Sequence, residues 1–520
     1  MKTYHHNSND FLLNSDINLT FDDLYLMSNE EFGDWIVEVR DRVKESWEQH
    51  NQPPTKTLND DAIVRQFRKL TDTPVDDCLV VNGLNQRQEL LNPKIPISAA
   101  NPFFPNMAKS KDITSLELTG LSLWDYFVGG ENLESMTRGL RRNLKWDSFY
   151  HFASVPYKGQ EIGLNAKSGS DWVKRFRVEN RPDYDFYVEY GETKRTRGMS
   201  PLTLTQKSLK ELMGAGLIKE IQTKNLTERE NIPTNKRKND KNNIRIRVYK
   251  KGQSIFPHFF DCLRKGLVAQ GTNFPPILSK YIYSHYTNDF RNQDRIVIYD
   301  PSSGYGGRLL GALSLNQDRQ IHYVGTDPNP DNFIESLGIS RYDYMARFFN
   351  NNIRGRYRTT YEVFQSGSEV IGAHPDFQKY KGEIDLIFTS PPYFAAEGYS
   401  EDENQSFKKF PTYAQWRDGF LTETLRTCVE YLKPERYLLW NIADVNFNGR
   451  YYPLENDSYE ILTSLGMEFK TRLKMLLSGA PQISKSASSR WSRLPSTKNY
   501  CAYNNKYRKY ESVFVFYKSK

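Results

Sequence analysis

The segment Thr389–Phe394, which reads TSPPYF, constrains this chain more than any other. It follows the apolar run Asp385–Phe388, which predicts a short buried strand. Two adjacent prolines lack backbone donors and fix φ, so they predict a rigid turn where that strand ends. In open α/β sheets, ligands bind outside the carboxyl ends of the strands. The turn would present there a hydroxyl, free carbonyls and an aromatic ring, which are the groups needed to hold a planar base by its exocyclic amine.

A glycine-rich turn lies about ninety residues upstream. The apolar run Arg295–Tyr299 leads into Asp300–Gly307, which reads DPSSGYGG, and then into the helical run Arg308–Leu313. A strand, a glycine-rich turn and a helix are typical of the first unit of a doubly wound sheet. Gly304 and Gly306 would let the backbone approach a ligand closely, because a Cβ would block that approach.

The next predicted strand, Ile321–Gly325, ends at Asp327. An acidic residue at this strand end is placed to accept hydrogen bonds from both hydroxyls of a ribose. The spacing suits NAD as well. However, the dinucleotide fingerprint has no counterpart of the pair Asp300 and Pro301 before its glycines, so the pattern favours a different nucleoside cofactor.

These motifs resemble those of the S-adenosylmethionine-dependent DNA amino-methyltransferases. Ser390, Pro391, Pro392 and Tyr393 match the family's (Ser/Asp/Asn)-Pro-Pro-(Tyr/Phe) motif. The serine form looks most like the N4-cytosine enzymes, while the aspartate and asparagine forms are commoner among N6-adenine enzymes. The resemblance implies an α/β, Rossmann-like class I methyltransferase domain over residues 253–520, with S-adenosyl-L-methionine as its cofactor.

The resemblance also implies which residues contact the cofactor. Ser302 stands where the family usually has Phe, and Gln365–Ser368, at the place of a third cofactor motif, lacks the usual acidic residue. Phe274, before a helical run, is similar to the family's Phe that packs on the methionine part of the cofactor. The implied cofactor residues are Phe274, Asp300, Pro301, Ser302, Gly304, Gly306, Asp327 and Thr389.

The end of the chain resembles the last strand of the same fold, in which a Glu precedes an apolar strand that ends in Lys. Here Glu511 precedes the run 512–518. Before it, the sequence predicts a helix from about Tyr413 to Tyr431 and a strand over Tyr437–Ile442.

The expected chemistry follows from the weak nucleophilicity of an amino nitrogen whose lone pair is delocalised into a base. Hydrogen bonds to the Ser390 hydroxyl and the Pro391 carbonyl would draw that nitrogen towards tetrahedral geometry, and Tyr393 would stack on the base. The transfer is then a direct in-line displacement that depends on positioning. None of the four cysteines follows a proline, which argues against C5-cytosine methylation. A paired base would first have to be flipped out, unless it is already single-stranded.

Composition limits the setting of this chemistry. A net charge of +8 suits an anionic partner such as DNA. The cysteine spacing predicts neither disulfides nor a zinc site, and no other metal site is predicted. No apolar run reaches transmembrane length and no signal peptide is recognisable, so we expect a cytoplasmic protein. A partner restriction enzyme would not be visible in this sequence.

The N-terminal half is predicted to be accessory. Residues 1–200 read as a partly helical region, with a helical stripe beginning near Ser28 and a second helix near residues 60–70. Residues 201–252, with a helix, a strand, a basic loop and a strand, resemble the end of a winged helix. Arg245 and Arg247 share one face of its last strand, which suits phosphates. A solvated hairpin explains the same pattern equally well.

A second basic segment lies in the C-terminal half. Residues 469–510 contain no acidic residue, and basic side chains alternate there with aromatic ones. This interleaving suits a nucleic-acid backbone and an unstacked base. Besides Arg245 and Arg247, the residues predicted to contact nucleic acid are Phe394, Arg490, Trp491 and Arg493.

The leading hypothesis is a DNA amino-methyltransferase that acts on N4 of cytosine in a modification or defence system. N6-adenine methylation of DNA and methylation of RNA remain open. A hypothesis of another class is a non-catalytic nucleic-acid-binding protein with a degenerate methyltransferase fold, which the departures at Ser302 and in the third motif keep open.

Overall fold

The structure is a computed structural model that describes most of the C-terminal half of the chain and parts of the N-terminal half. The described residues are 12–50, 58–82, 87–91, 98–112, 121–128, 133–147, 149–150, 154–157, 160–163, 185–190, 220–222, 244–249, 253–264, 267–268, 271–334, 337–394, 397–398, 402–447, 450–477, 483–484, 500–503 and 506–520.

The described helices flank a large sheet. They are α1 Phe21–Leu26, α2 Asn29–His50, α3 Asp60–Asp72, α4 Leu123–Val128, α5 Leu133–Asp147, α6 Phe256–Arg264, α7 Pro276–Tyr286, α8 Gly307–Leu313, α9 Arg341–Asn352, α10 Ser406–Lys409, α11 Tyr413–Gln415, α12 Glu423–Tyr431 and α13 Leu454–Ser464. A π-helix, Trp416–Thr422, joins α11 to α12, so the predicted helix over Tyr413–Tyr431 is confirmed as one continuous helical segment. None of the helices in these ranges has both the length and the apolar character of a membrane span.

The described strands are numbered in chain order. They are β1 Leu79–Asn82, β2 Arg87–Leu91, β3 Lys111–Asp112, β4 Phe149–Tyr150, β5 Ser154–Tyr157, β6 Gln160–Gly163, β7 Asp185–Tyr190, β8 Glu220–Gln222, β9 Ile244–Tyr249, β10 Ile296–Asp300, β11 Ile321–Thr326, β12 Phe333–Ile334, β13 Ile339–Ser340, β14 Thr360–Phe364, β15 Ile384–Thr389, β16 Glu397–Gly398, β17 Leu432–Ile442, β18 Val445–Phe447, β19 Arg450–Tyr452, β20 Glu468–Leu476, β21 Ile483–Ser484, β22 Tyr500–Tyr503 and β23 Lys506–Lys518.

The main sheet has the order β1-β2-β20-β23-β17-β15-β10-β11-β14. Five neighbouring strands of this sheet are parallel, in the order β14, β11, β10, β15 and β17. β23 is antiparallel to both of its neighbours, β17 and β20. Every residue of β10 and β15 is buried, as expected for parallel strands covered on both faces. The Rossmann-like class I methyltransferase fold predicted from the sequence is therefore confirmed. Its topological switch point lies between β10 and β15, where both predicted turns begin.

The N-terminal half shares both of its cores with the C-terminal half. β2 pairs in parallel with β20, and Phe67 of α3 stacks on Phe349 of α9 with ring centroids 4.4 Å apart. Conversely, α6 packs into a second core that α1, α2, α4 and α5 build. Both cores contain described residues from before and after residue 253, and the domain boundaries that the sequence places at residues 200 and 253 stay predictions.

The predicted wing is arranged differently from a winged helix. Its two strands, seen as β8 and β9, do not pair with each other, because β7 lies between them and pairs with both. The tip of a wing is a hairpin of neighbouring strands, so the proposed winged-helix likeness of residues 201–252 is wrong in this respect. The helix predicted over residues 204–214 lies outside the described residues.

Candidate active site

The glycine-rich turn follows β10 and has the backbone conformation that its glycines permit. Gly304 and Gly306 have φ values of 56° and 72°, in the left-handed region. Phe104, from the N-terminal half, fills the space beside the turn, since a Cβ added to Gly306 would lie 2.6 Å from its ring. The turn thus depends both on glycine and on a side chain more than two hundred residues upstream.

Asp300 lies beneath this turn and joins it to the Ser-Pro-Pro-Tyr turn. Its carboxylate is fully buried and accepts hydrogen bonds from Arg308 Nε at 2.7 Å and from the Tyr323 hydroxyl at 2.6 Å. It also accepts one from the Thr389 hydroxyl at 2.7 Å. Thr389 is itself fully buried. The structure thus gives Asp300 and Thr389, both predicted to bind cofactor, a place below the site surface, from which they hold the two turns together.

Asp327 ends the second strand of the parallel sheet and reaches the glycine turn. Its carboxylate accepts hydrogen bonds from the backbone N–H of Gly304 at 2.8 Å and of Asn329 at 3.0 Å. Asn332 Nδ2 donates a third at 3.2 Å. Burial raises the pKa of Asp327 to about 6, and the two backbone donors oppose that rise. A carboxylate held in this way forms part of the cavity wall.

A cavity of about 910 Å³ opens at the switch point and unites the two turns. On one side it is lined by the predicted cofactor residues Phe274, Pro301, Ser302, Gly304 and Asp327. On the other side it is lined by Ser390, Pro392 and Tyr393 of the TSPPYF turn. The volume falls in the range of small-molecule sites. Parts of the chain predicted separately to hold a cofactor and a base therefore face one space.

Within the TSPPYF turn, Pro391 is buried and Ser390 is partly exposed. The Tyr393 hydroxyl donates a hydrogen bond to Glu511 Oε2 at 3.3 Å. Phe394 was predicted to contact nucleic acid, and the structure corrects this. Its ring is 5% exposed and packs against Trp416 and other aromatic side chains, so its place is in the core.

The cavity also contains polar residues that were not assigned to the site from the sequence, and Glu369, Glu511 and Asn441 are three of them. Glu369 follows directly after the third motif, Gln365–Ser368, which lacks an acidic residue. Its side chain is 6% exposed, and Lys409 Nζ lies 2.7 Å from its Oε1. Glu511 lines the cavity from β23 and Asn441 from β17. Glu369 could have been predicted from the sequence, because it lies one residue beyond Ser368 of the third motif. Asn441 could not, because only the pairing of β17 with β23 brings it beside Glu511.

The predicted nucleic-acid residues of the basic segments are placed only in part. Arg245 and Arg247 lie on β9, which pairs with β4 and β7. Arg490, Trp491 and Arg493 lie outside the described residues. Their contacts with nucleic acid therefore stay predictions.

Comparison with known proteins gives one family. The sequence model of the N6_N4_Mtase family, described as DNA methylase, matches residues 384–520. This segment begins at β15, contains Ser390–Tyr393 and ends with β23. Residues 384–520 are thus similar to that DNA methylase family, in agreement with the resemblance of the Ser-Pro-Pro-Tyr motif.

Solved structures resemble the chain more distantly. A protein of Listeria monocytogenes, described as a class I S-adenosylmethionine-dependent methyltransferase, is 15% identical over 47% of this chain and 59% of its own, with a TM-score of 0.27. An S-adenosylmethionine-dependent methyltransferase of Methanosarcina mazei is 13% identical over 45% of this chain and 96% of its own, with a TM-score of 0.26. TrmN of Thermus thermophilus is 12% identical over 54% of this chain and 57% of its own, with a TM-score of 0.28.

The chain spans less than two thirds of the Listeria protein and of TrmN. At such scores the likeness adds nothing to the strand order, which carries the assignment of the fold. The comparison with curated proteins gives no match.

Proposed function

We propose that this protein transfers a methyl group from S-adenosyl-L-methionine to the exocyclic N4 amine of cytosine in DNA, in a modification or defence system. The observation that carries the proposal is the single cavity that unites Asp327 and the glycine turn with Ser390 and Tyr393. Methyl transfer needs the donor and the acceptor base side by side. A cavity at the switch point of a doubly wound sheet, with a nucleoside-binding pattern on one side and a base-holding turn on the other, meets that need.

The residues on the side of the glycine-rich turn fit S-adenosyl-L-methionine. Gly304 has the positive φ that a close backbone approach requires, and Asp327 offers carboxylate oxygens at the end of β11, where a ribose would lie. Phe274 packs edge-on against Phe388, with centroids 5.3 Å apart, and lines the cavity. When bound, the cofactor supplies an electrophilic methyl group. Asp300 and Thr389 act beneath the site by fixing the glycine turn against the Ser-Pro-Pro-Tyr turn.

The residues on the side of the Ser-Pro-Pro-Tyr turn hold the base. The Ser390 hydroxyl and the Pro391 carbonyl accept hydrogen bonds from the amine, which keeps its lone pair directed at the methyl group. Tyr393 stacks on the base and fixes its plane. Phe420, which the π-helix brings to the cavity, adds an apolar wall. These groups position the amine and exclude water, and the reaction needs no covalent intermediate with the protein.

The choice of cytosine follows from Ser390, because a serine in this position is the form that resembles the N4-cytosine enzymes. Nucleoside mass spectrometry of DNA incubated with the protein and the cofactor tests it. We expect N4-methylcytosine in the wild type and much less of it, or none, in Ser390→Ala after the same incubation. N6-methyladenine as the sole product would reject cytosine, and methylation of RNA alone would reject DNA. No methylated nucleoside together with no binding of millimolar cofactor would favour the non-catalytic alternative.

The path of the DNA is tested by charge reversal. Arg490→Glu with Arg493→Glu should weaken DNA binding and flatten the dependence of affinity on salt, because fewer counterions are released. Cofactor affinity should not change. The same measurement on Arg245→Glu with Arg247→Glu asks whether β9 meets the backbone. A wild-type salt slope in both double variants would place the DNA elsewhere.

A further inference from the structure

Glu511 lines the cavity beside the Ser-Pro-Pro-Tyr turn and has defined partners there. The Tyr393 hydroxyl donates to its Oε2 at 3.3 Å, and the Asn441 side chain is its second hydrogen-bond partner. Asn441 is fully buried, and its Nδ2 donates to the Ser512 carbonyl at 3.1 Å, which fixes the amide. Among the described residues, Asn441 Oδ1 has no hydrogen-bond partner. The target side of the cavity therefore holds a carboxylate and an open acceptor next to each other.

Methylation of an amine leaves a proton to remove. When the nitrogen lone pair forms the new N–C bond, the nitrogen becomes cationic, and it must lose one proton to give the neutral methylated base. The Ser-Pro-Pro-Tyr turn has no group suited to this at neutral pH, since a serine hydroxyl does not titrate there and a tyrosine hydroxyl ordinarily has a pKa of about 10. The proton acceptor has to come from elsewhere in the cavity, or from solvent.

Three carboxylates of the described residues line the cavity, and two are engaged away from the amine. Asp327 accepts hydrogen bonds from the glycine turn and lies at the predicted ribose position. Glu369 is paired with Lys409, 2.7 Å away. Only Glu511 is hydrogen-bonded to a residue of the Ser-Pro-Pro-Tyr turn.

We propose that Glu511 is the proton acceptor of the methyl transfer. The inference rests on the proposed function and adds a catalytic residue to it. The amine forms a bond to the methyl carbon, the electron pair of the breaking S–C bond stays on sulfur, and the alkylated nitrogen passes one proton to Glu511 Oε. The carboxylic acid so formed then releases its proton to solvent past Lys509, which lies two residues away on the same face of β23 and lines the same cavity.

The surroundings of Glu511 suit this task. Burial raises the pKa of its carboxyl above the ordinary glutamate value, while the charge of Lys509 and the hydrogen bonds from Tyr393 and Asn441 oppose the rise. Met475 lies opposite on β20 and carries no charge. Lys474 belongs to the other face of the sheet, where its Nζ lies 4.9 Å from the Tyr510 ring.

Glu511→Gln is the decisive variant, since an amide retains an oxygen for the Tyr393 hydroxyl but cannot take up the proton. We expect its single-turnover methylation rate to fall by about 10²-fold, the lower end of the effect of general acid–base groups. Its dissociation constants for cofactor and DNA should remain unchanged. The wild-type rate should fall at low pH as Glu511 becomes protonated, and the variant should lack this acidic limb. Glu468→Gln, at an exposed glutamate on β20, is the matched control and should behave as wild type.

A second measurement does not depend on turnover. Carbon-13 NMR of protein labelled at the glutamate side-chain carboxyl carbon identifies Glu511 as the signal missing in Glu511→Gln. We expect that signal to titrate at a higher pH than the signals of the exposed glutamates. Its midpoint should coincide with the midpoint of the acidic limb in the pH profile of the methylation rate. An ordinary midpoint would overturn the proposal.

A positioning role would give a different pattern. If Glu511 acted only by holding Tyr393, Tyr393→Phe would lose as much rate as Glu511→Gln, and Glu511→Gln would keep its acidic limb; that result also overturns the proposal. We expect Tyr393→Phe to lose less. If the wild type methylates DNA and Glu511→Gln is equally fast, the role of Glu511 is rejected and the proposed function is not. A wild-type protein that methylates no nucleic acid rejects the proposed function and this role with it.

Discussion

The two sides of the cavity differ in how their polar groups are used. On the glycine-turn side, Asp300 and Asp327 each accept at least three hydrogen bonds from the protein, and Asp300 also pairs with a buried guanidinium. On the Ser-Pro-Pro-Tyr side, Glu511 is held by two partners, and Asn441 Oδ1 has none among the described residues. One side is a closed network, and the other keeps acceptors open.

This difference fits two different tasks. A cofactor site gains from a rigid floor, because a preorganised wall loses little freedom when the ligand binds. A site that must take in a flipped base and remove its proton needs acceptors that are not yet satisfied by the protein. A buried acceptor without a partner costs stability, so the one at Asn441 calls for an explanation, and a role in the site supplies it.

The strongest test of the closed network is Asp300→Ala. It leaves the Arg308 guanidinium buried without its partner, so the free energy of unfolding should fall by about 3–5 kcal/mol. Glu423→Ala breaks the exposed pair with Arg426 and should cost no more than about 1 kcal/mol. Urea denaturation of both variants measures the difference. Equal small losses would show that Asp300 is not the support of the two turns.

Ser390→Ala tests the open side. The variant loses one acceptor that acts on the amine in the transition state, so the methylation rate should fall by about 10²-fold or more. The cofactor dissociation constant should stay within twofold of the wild type, because Ser390 addresses the base. Single-turnover kinetics and calorimetry with S-adenosyl-L-methionine measure the two quantities. If cofactor binding were lost as severely as the methylation rate, Ser390 would have to be assigned to the cofactor side of the cavity.

The sequence predicted what local pattern determines. Buried strands ending in the turns at Asp300 and Ser390 gave the parallel sheet and the place of the cavity, because strand, turn and helix are encoded within about twenty residues. The acidic strand end at Asp327 followed from the same pattern. All three were correctly expected at the carboxyl edge of the sheet.

The sequence did not predict what long-range packing determines. Phe104 meets Gly306 across some two hundred residues, and β2 joins the sheet beside β20. Phe394 was predicted to contact nucleic acid, yet packing against Trp416 buries it. No periodicity in the sequence records such contacts, and the division of the chain near residue 253 stays a prediction.

Asp327→Ala should have a smaller effect, confined to the cofactor. Loss of hydrogen bonds from the ribose to a charged group should weaken cofactor binding by about 1–3 kcal/mol. The methylation rate at saturating cofactor should change little. Calorimetry gives the dissociation constant, and an unchanged value would remove Asp327 from the site.

The same carboxyl gives a pH dependence. Its pKa is about 6 in the fold, against an ordinary value of 3.8, because of burial. The ionised form is the one that accepts from the ribose, so cofactor affinity should fall as pH falls through about 6. Between 3.8 and 6 the folded state takes up a proton that the unfolded state does not, so the contribution of this group to the free energy of unfolding falls as pH rises across that window. Asp327→Asn should lack both effects. Cofactor affinity that is flat from pH 7.5 to pH 5 in the wild type would contradict the assignment.

The smallest expected effect concerns a hydrogen bond that connects Asp327 and Asn332 to the N-terminal half through Asn106, whose own Oδ1 has no partner among the described residues. Asn106 Nδ2 donates to Asn332 Oδ1 at 2.8 Å, and Asn332 Nδ2 donates to Asp327 at 3.2 Å. Asn106→Ala removes the bond that orients the Asn332 amide, and so it should weaken cofactor binding by about 1 kcal/mol, the usual value of one hydrogen bond. The rate at saturating cofactor should stay unchanged, because no residue of the base side is touched. Asn59→Ala, at the exposed N-cap of α3, is the control for a general loss of stability in the N-terminal half. If both variants weakened the cofactor equally, the N-terminal half would support the site only through its overall stability. If Asn106→Ala alone did so, residues 98–112 would be part of the cofactor site itself.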